Sequence, residues 1–390
     1  MRILFVHTPS DLYGASRSML RLSSRLKNEG HQVYVLLIED GPLVQELKNK
    51  NIAVITCPRF SVINRSGFKS IAGLWSIFLN FPYSIWKMIQ LINQIKPDLI
   101  HTNTALIVPP GIAAKLKGVP HIWHVRESFH DFGFFWKFYQ GLMSLFSDRI
   151  VSVSKFVAGQ FAETIQRKKV VVLYNGFPQE EFRSVSAERI RAFRKQYGLG
   201  QELLAGVVGR IKMIRKGQET FVKSIDLIKD KYPDAKFLLI GSPFPGNEEH
   251  LELITDLIKK LELEKCIVYT GDVQDIKAAV SALDIVVLSS GTPEPFGGVV
   301  AEAMALGKPV VGTKIGGTEE QILHERTGML VEPNNAQNMA EALDTLLKSR
   351  TLRKRMGEMG HQRYLQHFEF SVFYKKIQSL YNGLLRNPGQ

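Results

Sequence analysis

The sequence predicts an α/β protein built from two doubly wound domains with parallel sheets. Three observations predict it. Apolar strand-like runs alternate with helical patterns along the whole chain, which argues for parallel sheets with helices on both faces. The alternation breaks at V170-V-V-L-Y-N-G-F-P178, where Asn175-Gly176 suits a turn and Pro178 prevents continuation, and then starts again. At 390 residues the chain is long enough for two such domains, each with its own core.

In the first half, strands are expected at 2–7, 32–38, 52–57, 98–101, 120–125 and 149–153. Helices are expected between them at 15–29, 42–50, about 70–95, 105–117 and 132–147. The second half reads as strands at 203–208, 235–240, 266–270, 284–289 and 309–312. Its helices fall around 216–230, 248–261, 273–281, 298–306, 336–348 and 350–366, with a last one over about 371–385. The domains are thus 1–175 and 176–370, with 371–390 as a closing helix. Ligands of doubly wound sheets bind beyond the carboxyl ends of the strands, so a cleft between two such edges is expected.

Composition narrows the class. A hydrophobic content of 45% and a charged content of 22% are ordinary for a soluble enzyme. Cys57 and Cys266 lie far apart in apolar runs, without metal-ligand spacing, and read as buried thiols of a reducing compartment. The chain enters a strand at Arg2, which leaves no room for a signal peptide. The most apolar stretch, I71-A-G-L-W-S-I-F-L79, is too short to span a membrane and is followed by Asn80 and Pro82. A cytoplasmic protein is expected.

The net charge of +13 is unevenly placed: residues 1–175 hold 21 Lys/Arg against 10 Asp/Glu. No acidic residue occurs between Glu46 and Asp98. That stretch carries Lys48, Lys50, Arg59, Arg65, Lys69, Lys87 and Lys96 among Phe60, Phe68, Trp75, Phe78, Phe81, Tyr83 and Trp86. Basic residues mixed with aromatics over 47–97 fit an anionic membrane surface. The same residues also fit nucleic acid, or a helix with a buried aromatic face and solvated lysines.

Four constellations fall at strand ends. In T292-P-E-P-F-G-G-V-V-A-E-A-M-A305 a strand, a loop with Gly297-Gly298 and a helix follow in order, so backbone N–H groups of a helix start face the strand's end. Such groups suit phosphate, and the flanking carboxylates Glu294 and Glu302 suit sugar hydroxyls. The plain alternative is a solvent-facing Glu302 and an ordinary loop charge at Glu294. In V207-V-G-R-I-K-M-I-R-K-G217, Gly209 permits a tight turn, and Arg210 and Lys216 can hold a diphosphate. Cations are electrostatically wrong for a helix start, which favours a functional role for these two over Lys212 and Arg215, read as surface residues.

In T8-P-S-D-L-Y-G-A-S16, Gly14 and Ala15 sit where a helix start meets the first strand's end, suited to a ligand's close approach or to a simple helix cap. In H121-I-W-H-V-R-E-S128, His124, Arg126 and Glu127 lie at the end of a strand, where a structural histidine is the alternative. Phosphate-loop, H-E-x-x-H, C-x-x-C, G-x-S-x-G and Asp-x-Asp patterns are lacking, so no metal site and no cofactor is expected.

Taken together, E294-P-F-G-G-V-V-A-E302, Arg210, Lys216 and G316-G-T-E-E-Q-I322 resemble glycosyltransferase family 4, retaining transferases of GT-B fold, two Rossmann-like domains facing a central cleft. The resemblance runs over essentially the whole chain. It implies that Arg210 and Lys216 bind the diphosphate of a nucleotide-sugar donor, that Glu302 binds the ribose and that Glu294 contacts the transferred sugar. It also implies that the N–H groups of Phe296 and Gly297 face sugar or phosphate, that His124 contacts the donor sugar, and that the last helix returns to the first domain. Two departures stand out: the usual glycine pair reads Gly14-Ala15, and V-R-E follows the histidine, leaving Arg126 and Glu127 without a role. The implied reaction moves a hexosyl group from a nucleotide-diphosphate sugar to a hydroxyl of a glycan or lipid-linked acceptor, with retention. It requires no enzymic nucleophile and places the protein in polysaccharide or glycoconjugate synthesis, on or near the inner membrane face. Rival readings are a nucleotide-sugar epimerase or a phosphorylase of similar architecture, and a non-enzymatic nucleic-acid-binding protein exploiting the basic half. The Arg210, Lys216, Glu294 and Glu302 set fits transfer better, and nucleic acid is not expected as a partner.

Overall fold

The structure, a computed structural model, describes residues 1–63, 71–183 and 185–386, without the side chains of 71–74, 76 and 131. Arg65, Phe68 and Lys69 of the basic stretch therefore lie outside the described residues. The chain forms two compact units, residues 1–175 with 373–390 and residues 176–372.

In the first unit the order is β1 (Arg2–His7), α1 (Gly14–Asn28), β2 (Gln32–Leu37), α2 (Pro42–Asn49), β3 (Ala53–Thr56) and α3 (Ile71–Ile95). Then come β4 (Leu99–Thr102), α4 (Pro109–Lys117), β5 (His121–Val125), α5 (Gly133–Leu145) and β6 (Arg149–Ser152). The short helices α6 (Lys155–Ala158) and α7 (Glu163–Lys169) lead to β7 (Val170–Val172). All strands pair in parallel, in the order β3-β2-β1-β4-β5-β6-β7. β1, β4 and β5 are buried on both faces, which is why they read as continuous apolar runs instead of alternating ones.

The second unit opens with α8 (Glu180–Arg183) and α9 (Ala187–Gln196), followed by β8 (Leu204–Val208), α10 (Gln218–Asp226), β9 (Lys236–Ile240) and α11 (Glu249–Lys260). It continues with β10 (Ile267–Gly271), α12 (Ile276–Ala282), β11 (Ile285–Leu288), α13 (Gly298–Ala305), β12 (Val310–Thr313), α14 (Thr318–Gln321) and β13 (Gly328–Val331). α15 (Ala336–Leu347) and α16 (Arg350–His367) close it, and α17 (Phe370–Arg386) belongs mostly to the first unit. The six-stranded parallel sheet runs β10-β9-β8-β11-β12-β13. Phe221, Phe237, Ile285, Val287, Leu343 and Leu346, all fully buried, form the centre of its core between sheet and helices.

The structure corrects the sequence reading at several places. β13 was not foreseen, because four residues between a turn and Pro333 give too short an apolar run to stand out. α7 and α9 were also missed. Their sequences are dominated by charged side chains, and α7 buries none of its residues. The helix expected from 105 starts only at Pro109, where proline is tolerated in a first turn.

Candidate functional site

In each sheet the strand order reverses once, between β1 and β4 and between β8 and β11. Connections leave that point in opposite directions, so the strand ends there stay uncovered and accept ligands. In both units the polar side chains collect at this point.

In the second unit the loop after β8 runs through a π-helical turn, Met213–Gly217, into α10. Lys216 Nζ donates to Glu294 Oε1 at 2.5 Å, joining this loop to the one after β11. Ser290 Oγ donates to the same oxygen at 2.8 Å, and Ser289 Oγ to the Lys216 carbonyl at 2.8 Å. Burial pushes the Glu294 carboxyl up, but the Lys216 ammonium and the Ser290 hydroxyl outweigh it and hold the group below its ordinary value. Glu294 is therefore an anion at neutral pH, its side chain only 15% exposed.

The loops touch backbone to backbone. Gly217 has φ +66°, and a Cβ there would lie 1.7 Å from the Ser289 carbonyl oxygen. At Gly316 (φ +64°) a Cβ would lie 2.5 Å from the Glu294 carbonyl oxygen, and Gly317 N–H donates to that oxygen at 2.8 Å. The G316-G317 pair thus buttresses the Glu294 loop. Gly217 and Gly297, both left-handed, precede α10 and α13, and neither helix start has a side-chain cap. Gly298 opens α13, whose first turn has no side-chain cap and offers backbone N–H groups to an anion. By contrast, α10 continues the π-helical turn, and its Gln218 N–H already donates to the Met213 carbonyl.

Arg210 follows Gly209 in the loop and reaches towards the loops after β9 and β10. Its Nη1 donates to the Pro243 carbonyl at 3.2 Å and lies 3.5 Å from Asp272, beyond β9 and β10, with the Phe244 ring 5.4 Å below the guanidinium. The two cations expected to act as one clamp are thus each held by a separate carboxylate. Lys212, expected at the surface, is half-buried, and burial followed by repulsion from Arg215 and Lys216 lowers its pKa. Arg215 is exposed as expected. Glu302 is half-buried on α13. The Phe296 side chain is buried between Phe177 and Phe368, so only its backbone is left for a ligand.

In the first unit, Gly14 is exposed at the start of α1 and a Cβ there would meet nothing within 4 Å, while the Ala15 carbonyl accepts from Asn103. His124 is fully buried instead of lying open at the sheet edge. Arg126 gains the part that the sequence left blank. Its Nε donates to Asn103 Oδ1 at 3.0 Å, Nη1 to Asn175 Oδ1 at 2.5 Å and Nη2 to Ser18 Oγ at 3.1 Å. Asn103 in turn donates to His7 Nδ1 (3.2 Å), His7 Nε2 to Ser16 Oγ (3.0 Å), and Ser16 to Asp11 (2.7 Å). Glu127 is structural: it accepts from Thr104 Oγ1 and from the N–H groups of Ala105 and Arg126. His7, Asn103 and Asp272 were missed in the sequence, although each directly follows or ends an apolar strand run.

The chain is similar to known proteins in sequence and in fold. The family description "Glycosyltransferase Family 4" matches residues 13–181, and "Glycosyl transferases group 1" matches residues 189–363. The chain belongs to the family 4 glycosyltransferases. It is 26% identical over 316 residues to the capsular polysaccharide biosynthesis glycosyltransferase CapM of Staphylococcus aureus, covering 78% of this chain and 81% of that one. It is also 26% identical to N-acetyl-alpha-D-glucosaminyl L-malate synthase of Bacillus anthracis, over 62% of this chain and only 61% of the synthase. Among solved structures, Anabaena Alr3699/HepE in complex with UDP superposes with a TM-score of 0.84 at 24% identity, over 98% of this chain and all of that one. A glycosyltransferase from Rickettsia africae ESF-5 gives 0.84 at 23%, over 99% of both. The fold is that of GT-B glycosyltransferases.

Two outcomes follow from this geometry. Gly217→Ala should lower the unfolding free energy by at least about 1–3 kcal/mol, from strain at positive φ and the clash with Ser289, in urea titrations. The second concerns pH. Burial, reinforced by Arg126, holds His7 down to about 3, and burial holds His121 down to about 4, from an ordinary 6.5. Stability from these groups is complete above pH 6.5 and declines as pH falls towards 4, because only the unfolded chain takes up the protons. Each contributes a slope of about 1.4 kcal/mol per pH unit in that window. All four tryptophans lie in residues 1–175, so fluorescence-monitored urea midpoints should drop between pH 7 and pH 5; a flat profile would contradict this assignment.

Proposed function

We propose that this family 4 glycosyltransferase transfers a hexosyl group, with retention, from a nucleotide-diphosphate sugar to a hydroxyl of a glycan or lipid-linked acceptor in polysaccharide or glycoconjugate synthesis. The Lys216–Glu294 pair carries the reading, because it puts a phosphate-binding cation and a hydroxyl-binding carboxylate in contact on adjoining loops. Lys216 and Arg210 take the diphosphate in exchange for Glu294 and Asp272, and N–H groups at the uncapped start of α13 add to them. Glu294, released from its ammonium partner, accepts from sugar hydroxyls, Glu302 accepts from the ribose, and His124 contacts the sugar. The acceptor oxygen bonds to the anomeric carbon on the face from which the diphosphate leaves. The acceptor proton passes to the departing phosphate oxygen, giving a glycoside and a nucleoside diphosphate. Cationic side chains and backbone amides balance the charge without a metal ion. HepE was solved with UDP and with UDP-glucose, which makes UDP-glucose the first donor to test.

Arg210→Ala and Lys216→Ala should each lower turnover by about 10²–10³-fold with the melting temperature retained, and EDTA should leave wild-type turnover unchanged. Wild-type turnover in both variants would refute the site.

A peripheral position on the inner face of an anionic membrane is the second part of the proposal. On α3 three aromatic residues face outward, Trp75 58%, Phe78 70% and Trp86 51% exposed, while Phe81 and Tyr83 are half-buried and Met88, Leu91, Ile92 and Ile95 are buried. This argues against the buried-aromatic-face alternative. On α5, Phe134 and Phe138 are 86% and 61% exposed on either side of exposed Lys137. Among the described residues no helix is long and apolar enough to cross a membrane, so insertion would stay at the interface. Replacing Trp75, Phe78, Phe134 and Phe138 by Ser should abolish cosedimentation with phosphatidylglycerol vesicles; undiminished cosedimentation would remove the membrane from the proposal.

A further inference from the structure

Two donors converge on one ring nitrogen in the first unit. His124 Nδ1 lies 3.2 Å from His101 Nε2 and 3.4 Å from Arg126 Nη2. A guanidinium only donates, so Nδ1 is the acceptor and the neutral ring carries its proton on Nε2. Burial, followed by the charge of Arg126, keeps both histidines well below their ordinary pKa and hence neutral. With His101 donating through Nε2, its Nδ1 holds the lone pair and accepts from the Tyr381 hydroxyl at 2.6 Å. The direction of the whole chain, Tyr381 to His101 to His124, is therefore set at its far end by Arg126.

The chain ends on an unanswered donor. His124 Nε2 is buried and has no hydrogen-bond partner among the described residues. Buried N–H groups are almost always paired, so this one calls for an acceptor brought by a ligand. We infer that Tyr381, His101 and Arg126 are positioning residues that fix His124 in the Nε2–H form, so that it donates to a substrate oxygen and does not act as a base. The inference rests on the sugar contact proposed for His124 and adds its polarity and the residues that impose it. Phe373, its ring centroid 6.4 Å from that of His124, packs against the imidazole from the same helix as Tyr381.

The test has two arms. In the intact protein labelled with ¹⁵N-histidine, long-range ¹H–¹⁵N spectra at pH 7.5 should show His124, assigned by its loss in His124→Gln, protonated at Nε2. Protonation at Nδ1 overturns the inference whatever the enzyme transfers. In turnover with the best donor, His101→Phe should lower kcat about tenfold with the donor KM nearly unchanged. His101→Gln, whose amide can accept from Tyr381 and donate to His124, should restore most of it; equal losses would mean packing alone and overturn the relay. Wild-type turnover in His124→Ala would instead remove the sugar contact, leaving the tautomer result to stand or fall separately.

Discussion

In a parallel sheet every connection returns along one face, and where the strand order reverses the two neighbouring connections part company. The gap this leaves at the strand ends is the constraint on which both units are built. Between β8 and β11 it receives Lys216 and Glu294; between β1 and β4 it receives His7 and Asn103, with Arg126 reaching in from the end of β5. β8 and β11 are themselves built of small and aliphatic residues, so the ends of these strands are places where polar groups can meet without an apolar neighbour to displace.

The two gaps handle charge differently. In the second unit each cation rests on a carboxylate, Lys216 on Glu294 and Arg210 on Asp272. The Arg210–Asp272 pair is partly exposed and of the kind that contributes little to stability, so exchanging it for a dianionic ligand costs little. Glu294, only 15% exposed, instead needs new donors from the ligand once Lys216 leaves it. In the first unit Arg126 donates to neutral acceptors, Asn103, Asn175 and Ser18. Burial pushes this guanidinium down to about 10, still charged at neutral pH, and burial first, with that charge second, keeps the neighbouring histidines neutral. One unit thus offers exchangeable charge, while the other offers a fixed cation and fixed hydrogen-bond directions.

The periodicity and turn residues made the two-sheet architecture readable, because buried parallel strands announce themselves as apolar runs and Gly and Pro mark their ends. Elements without an apolar run, such as α7 and α9, escaped for the same reason. Spacing within single loops made Arg210, Lys216, Glu294 and Glu302 candidates, and of these the fold brings Lys216 and Glu294 into contact. What could not be read was pairing across distance. Nothing in the chain indicates that Lys216 meets Glu294, 78 positions away, or that Arg210 turns towards Asp272. His101 and Tyr381, 280 positions apart, are joined only by the folded first unit. At Gly14 the space is open, so the fold itself does not require glycine there.

The discontinuous make-up of the first unit bears on how the protein is made. Tyr381 and Phe373 belong to α17, which follows the whole of the second unit in the sequence. A nascent chain therefore has its first sheet on hand long before the helix that covers His101 and His124 has been synthesised, while the second unit is contiguous and can close earlier. Until α17 docks, the histidine ring chain lacks its terminal hydroxyl and the surrounding apolar surface is open. Order of synthesis thus makes the first unit the last to mature, and any agent that shields nascent chains has most to protect there.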